Sequence, residues 1–156
     1  MNEILDDINS LLANYIRALI GLSLSTLTLY TLFFEIMWVP YGLLLGGLAA
    51  ILEFIPVVGP MVASATILIV AGAAGFPHLW WVVIFLVVFR VFQDYVLQPY
   101  LMGQGVELHP LLVLFGVLAG EKIAGVPGMF FSVPVIATLR ILFIATQKAR
   151  VRAIVT

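Results

Sequence analysis

The chain has 156 residues, 63% of them hydrophobic and 10% charged, with eight acidic against seven basic groups and no cysteine. A chain of this length cannot bury so much apolar surface within itself, so lipid must cover the rest. The few cations are spread along the chain except at the C-terminal tail, which excludes a nucleic-acid footprint. The lack of cysteine excludes a disulfide framework, a thiolate nucleophile and a sulfur-ligated metal site.

The fold this predicts is all-α: a polytopic α-helical integral membrane protein with long spanning helices and two hairpins broken by Pro and Gly. Residues 1–17 read as an amphipathic lead-in helix. Ile4, Leu5, Ile8, Leu11, Leu12, Tyr15 and Ile16 recur at helical spacing, with Glu3, Asp6, Asp7, Asn9 and Asn14 mostly on other faces. Such a helix lies in the interface plane, with Arg17 at the boundary, or packs on a neighbour. Glu3, Asp6 and Asp7 stand where a signal peptide carries positive charge, so insertion is expected to rest on the internal spans.

Residues 18–156 read as the transmembrane helical domain. Residues 18–38 are long enough to span a bilayer, with Glu35 the one charge. Ser23, Ser25, Thr26, Thr28 and Thr31 can bond back to their own helix or across to a partner. Pro40 opens the next arm, and Gly42 and Gly46 have the spacing that lets another helix approach closely. Glu53 then precedes Pro56, Gly59 and Pro60. Prolines remove donors and clash with the preceding turn, so the helix must break there and its freed polar groups must be buried in protein or line a watery cavity. The arms of this first hairpin, ending near Ile55 and running over 61–75, are short for full crossings, which leaves the number of crossings open.

Residues 79–100 form the second clear span, headed by Trp80 and Trp81 and closed by Pro99 and Tyr100. Arg90, Gln93, Asp94 and Gln98 share one face of it, with Arg90 near mid-membrane by residue count. After a polar loop to His109 and Pro110, the apolar arm 111–119 leads into a turn carrying Glu121, Lys122, Gly125, Pro127 and Gly128, and a longer arm follows to Ala145. An offset of 68 residues superposes Leu43 and Leu44 on Leu111 and Leu112, Glu53 on Glu121, Ile55 on Ile123, Met61 on Met129 and Ser64 on Ser132. This is an internal repeat of 40–75 in 110–146, as secondary transporters use, or coincidence in low-diversity sequence. Arg140, Lys148, Arg150 and Arg152 place the C-terminus on the cytoplasmic side.

The chemistry concentrates in few residues. A carboxylate beside a broken helix, as at Glu53, is what a sodium or proton site needs, and a bend at the interface would merely hydrate it. Arg90 with Asp94 reads as a substrate or ion gate or as a structural pair, Gln93 and Gln98 extend the same face, and Glu121 beside Lys122 reads as a solvated tip or a further site. His78 and His109 each adjoin a proline at a helix start and read as capping or interfacial residues. No metalloprotease motif and no nucleophile elbow occurs, so no catalytic and no metal-ligating residue is assigned and an enzyme is not expected.

Several separated motifs then appear in order: Phe54, Ile55 and Pro56 with Gly59 and Pro60; Gln98 and Pro99 with Leu101, Met102 and Gly103; Leu108 to Leu111 around His109 and Pro110; Gly120, Gly125, Gly128 and Met129; and Pro134. Together they resemble the autoinducer-2 exporter family, the PerM-like permeases of bacteria. The resemblance implies a multi-pass inner-membrane transporter that moves a small polar solute or exchanges sodium for protons. It also implies a homo-oligomer in the lipid bilayer, with sodium or a proton as coupling ion and no other cofactor. Family members are longer and the chain resembles their C-terminal half, so the rival expectation is a truncated, non-transporting structural membrane oligomer.

Overall fold

Helix formation follows the breakers. From Asn2 to Ile20 the sequence holds neither proline nor glycine, and the lead-in and first span accordingly join in one helix, α1 (Asn2–Ile36), in the computed structural model. The structure describes residues 2–102 and 109–155. Residues 103–108, and the side chains of Lys148, Arg150 and Arg152, lie outside the described residues. α2 (Gly42–Leu52), α3 (Val58–Ala73) and α4 (Leu79–Phe92) follow; α4 widens into a π-helical turn (Gln93–Leu97) and continues as α5 (Gln98–Met102), and α6 spans Pro110–Val155. No strand occurs among the described residues. Two stretches, Ile8–Ile36 and Leu79–Leu101, are long and apolar enough to cross a membrane as single helices. A third, Leu111–Ile144, has the length but not the continuity.

The chain divides into two compact units, Ile16–Gln104 and Met1–Tyr15 with Gly105–Thr156. In the first, α1 ends where Trp38 turns to φ 57° and the Val39 N–H donates back to the Phe34 carbonyl at 2.8 Å. α3 ends the same way, with Gly75 at φ 72° and Phe76 N–H donating to Ala71 at 3.0 Å. Both are left-handed caps that satisfy the last carbonyls of a helix. The core holds Tyr30, Phe34, Leu45, Ala49, Ala63, Ile67, Val82, Leu86 and Phe89. Phe33 stacks on Phe85 at 4.0 Å, and Tyr30 meets Phe89 edge-on at 4.9 Å. Gly42 and Gly46 serve the close approach their spacing suggests: a Cβ on Gly42 would lie 2.8 Å from Phe34 Cβ, and one on Gly46 2.5 Å from Thr31 Oγ1. Small residues on α2 therefore let it lie directly on α1.

The first hairpin breaks between Leu52 and Val58, with Pro56 inside the break and Gly59 and Pro60 in the first turn of α3. Val57 sits at φ 65°, ψ −57°, and the Val58 N–H donates to the Pro56 carbonyl at 2.7 Å, which is a γ-turn of the rare, strained hand. Glu53, Phe54, Ile55 and Gly59 N–H groups all bond carbonyls between Ala49 and Ile55, so the break satisfies its own donors. Gly59 lies against the Leu52 carbonyl, where any Cβ would collide with backbone.

In the second unit, α6 is two helices separated at Ala124 (φ −142°, ψ 17°) and Gly125 (φ 62°, ψ −140°). Pro127 falls just after this break, where a missing donor is tolerated. The two arms fold onto each other: Gly120 and Gly128 touch backbone to backbone, and Gly116 lies against Ile136. Tyr15 caps the assembly, its hydroxyl donating to the Phe130 carbonyl at 3.3 Å. The positive-φ residues of the two hairpins, Val57 and Gly125, stand 68 positions apart, the same offset that aligns Glu53 with Glu121.

Candidate functional site

The break in the first hairpin sets Glu53 at the C-terminus of α2, pointing into the unit rather than away from it. Only 7% of the residue is exposed. A charge removed from water to this extent must be paired and hydrogen-bonded to be tolerated. Thr26 of α1, fully buried, donates its hydroxyl to Glu53 Oε1 at 3.3 Å, and Gln93, 1% exposed, donates Nε2 to Oε2 at 2.9 Å. One turn earlier, Ser23 donates to the Ala50 carbonyl at 2.8 Å, fixing α2 against α1. Ser25 and Thr28 bond back to Gly21 and Leu24 on their own helix.

Gln93 opens the π-helical turn and carries the network outward. Its Oε1 accepts from Arg90 Nη1 at 3.5 Å, at the outer limit of a hydrogen bond. Arg90 Nε donates to Asp94 Oδ2 at 2.9 Å, and Gln98 Nε2 donates to Asp94 Oδ1 at 3.3 Å. The Arg90 and Asp94 side chains are 37% and 36% exposed, so the pair marks the outer end of a chain whose inner end is Glu53. With all three ionised, two carboxylates face one guanidinium and the cluster carries a net charge of −1 (1 − 2).

The structure therefore joins five of the sequence candidates, Glu53, Gln93, Arg90, Asp94 and Gln98, and adds Thr26, which the sequence showed only as one of several hydroxyls on α1. Glu121 belongs to the second unit, where Lys122 Nζ lies 3.8 Å from it and its side chain is 44% exposed. Of the hairpin residues, Pro56, Gly59 and Pro60 form the bend behind Glu53, while Gly125, Pro127 and Gly128 shape the second break. No group of three or more His, Asp or Glu able to hold a metal ion occurs among the described residues.

The site's depth follows from helix rise. Four exposed aromatics cluster at one end of the unit: Trp38 after α1, Tyr41 before α2, and Trp80 and Trp81 in the first turn of α4. From that end Glu53 lies about 16 Å along α2, Thr26 about 15 Å along α1 and Gln93 about 21 Å along α4. The hydrogen bonds to Glu53 bring the three polar groups together, although the path along α4 is about 5–6 Å longer than the other two.

The family description "AI-2E family transporter" matches residues 1–148. The chain is similar to "Putative transport protein YrrI" of Bacillus subtilis (strain 168), with 28% identity over 146 residues, 94% of this chain and 41% of that protein. It is similar also to "Putative transport protein YueF" of the same organism, 28% identical over 91% of this chain and 38% of that one. A third similar protein, from Mycobacterium tuberculosis (strain CDC 1551 / Oshkosh), is 36% identical over 65% of this chain and 28% of its own length. The chain spans about two fifths of the length of the first two relatives, 41% and 38%. No solved structure matches it.

Proposed function

The chain belongs to the AI-2E transporter family, and on that premise we propose that it works within a permease of the bacterial inner membrane, with Glu53 as the carboxylate that couples solute movement to an ion. The observation that carries this reading is the buried Glu53 at the bend of a broken helix, held by Thr26 and Gln93. Discontinuous helices that set a polar site near the bilayer midplane are the recurring transporter device. If the exposed aromatics Trp38, Tyr41, Trp80 and Trp81 mark the interface, a depth of about 16 Å puts Glu53 at half of a hydrocarbon core of about 30 Å. The first hairpin then enters and returns from one side, its arms of 11 and 16 residues both falling short of the roughly 20 that a whole crossing needs.

The charge balance supports the ion. A cluster of net charge −1 in a low-dielectric setting is completed by one monovalent cation, so a proton or a sodium ion fits and a divalent ion overshoots. Exchange of sodium for protons, or proton-linked movement of a small polar solute, is the matching activity. The same reading takes the functional unit to be a homo-oligomer, since Val91, Tyr95 and Val96 leave an exposed apolar surface next to the half-exposed Arg90 and Asp94. It takes the C-terminus to be cytoplasmic, from the tail cations.

The experiment is a flux assay. In sealed proteoliposomes with an internal pH dye, an imposed sodium gradient drives proton movement by wild type and none by Glu53→Gln, while both run at the same oligomeric size in mild detergent. Equal flux in the two removes Glu53 as the coupling site and moves the weight to a structural, non-transporting membrane oligomer.

A further inference from the structure

We propose that Gln93 is the positioning residue through which the Arg90–Asp94 pair senses the charge of Glu53, an inference that rests on the reading of Glu53 as the coupling carboxylate. Gln93 is almost wholly buried and stands between an acceptor and a donor: the Glu53 carboxylate on one side and the Arg90 guanidinium on the other. A primary amide has a donor end and an acceptor end, and a guanidinium only donates. With Glu53 ionised, one orientation alone satisfies both neighbours, Nε2 toward Glu53 and Oε1 toward Arg90, and this is the orientation present.

A proton on Glu53 changes the rule. The carboxyl gains an O–H on one of its two oxygens, and on Oε2 that O–H faces Gln93, whose Oε1 accepts it once the amide turns over. The Nε2 group then faces Arg90, donor against donor, and Arg90 is left to Asp94 alone. A proton on Oε1 instead faces Thr26, whose hydroxyl can accept it and leave the amide as it stands, so the coupling proposed belongs to the proton on Oε2. The other charged and titratable groups that act on this site are Tyr30 from α1, and Arg90 and Asp94 from α4 and its π-helical turn. Among the described residues, Gln93 is the side chain bonded both to Glu53 and to a member of the outer pair, so it converts protonation at the buried end into a rearrangement at the half-exposed end.

The test is a pH titration of the intact protein in lipid nanodiscs by infrared difference spectroscopy, with Glu53→Gln to identify the Glu53 carboxyl band and labelled arginine to identify guanidinium bands, in wild type and in Gln93→Met. The expected result is a guanidinium change that tracks the Glu53 band in wild type and is lost in Gln93→Met, although Glu53 still titrates. Gln93→Asn is the second variant: it keeps amide polarity with a shorter reach, and its guanidinium response is reduced but retained. A guanidinium change that persists unaltered in Gln93→Met, or that is absent in wild type while Glu53 titrates, overturns the role of Gln93 and leaves the coupling carboxylate standing. The absence of any Glu53 band overturns both.

Discussion

Replacing Thr26 by valine removes a hydroxyl and little else, because the two side chains share a shape and the site is fully buried. What is lost is one of two hydrogen bonds to a carboxylate that is itself 7% exposed. Bonds to a charged group contribute about 1.5–3 kcal/mol. The Thr26–Glu53 bond, at 3.3 Å, is longer than the usual hydroxyl contact, so its loss belongs at the lower end, about 1.5 kcal/mol. The Gln93–Glu53 bond, at 2.9 Å, is close to ideal, and its loss belongs nearer 3 kcal/mol, so Gln93→Met is expected to cost about twice as much as Thr26→Val. A double-mutant cycle with Glu53→Gln isolates the interaction, read from reversible unfolding in mixed micelles at neutral pH. The coupling between Thr26→Val and Glu53→Gln should be about 1 kcal/mol or more. A coupling indistinguishable from zero would refute the assignment of Thr26 as a partner of the carboxylate.

Three further outcomes follow from the geometry. Gly125→Ala should cost about 1–3 kcal/mol through backbone strain alone, since φ 62° with ψ −140° suits glycine and a Cβ there meets nothing within 4 Å, and a thermal melt in detergent measures it. Gly120→Ala should open the second hairpin, because the new methyl would strike the Gly128 carbonyl, and faster protease cleavage near Ala124 reports this. Asp94→Asn should destabilise by about 1 kcal/mol in a chemical unfolding series, well short of the 3–5 kcal/mol of a fully buried pair, because the two side chains keep over a third of their exposure.

The first hairpin was legible because its breakers are local: Pro56, Gly59 and Pro60 forbid a continuous helix whatever surrounds them. The polar face of the second span was legible for a similar reason, since Arg90, Gln93, Asp94 and Gln98 are ordered by helix period alone. Thr26 was hidden, because its partner lies 27 residues away and the pairing exists only once α2 lies on α1. The same limit applies at the second turn. Gly120 to Gly128 read as one polar connection, whereas the helix runs on through Glu121 and breaks at Ala124 and Gly125. There a glycine pair that packs two backbones together is indistinguishable, by composition, from a glycine-rich loop. The widened turn at Gln93–Leu97 stands one turn before Pro99, whose ring crowds the Tyr95 carbonyl, yet that proline read as the end of the span and not as a widening within it, and Val57 in a γ-turn runs against the habits of a β-branched residue.

The level at which Thr26, Glu53 and Gln93 meet has an electrical consequence. One elementary charge crossing the whole membrane potential exchanges about 2.3 kcal/mol per 100 mV, so on the proposed reading, which sets Glu53 halfway through the hydrocarbon, a cation bound there would exchange about 1.2 kcal/mol per 100 mV. That is close to the 1.36 kcal/mol of one pH unit. On that reading a membrane potential of about 100 mV would bias occupancy of the carboxylate almost as strongly as a tenfold concentration gradient, and in the same direction for a proton as for sodium.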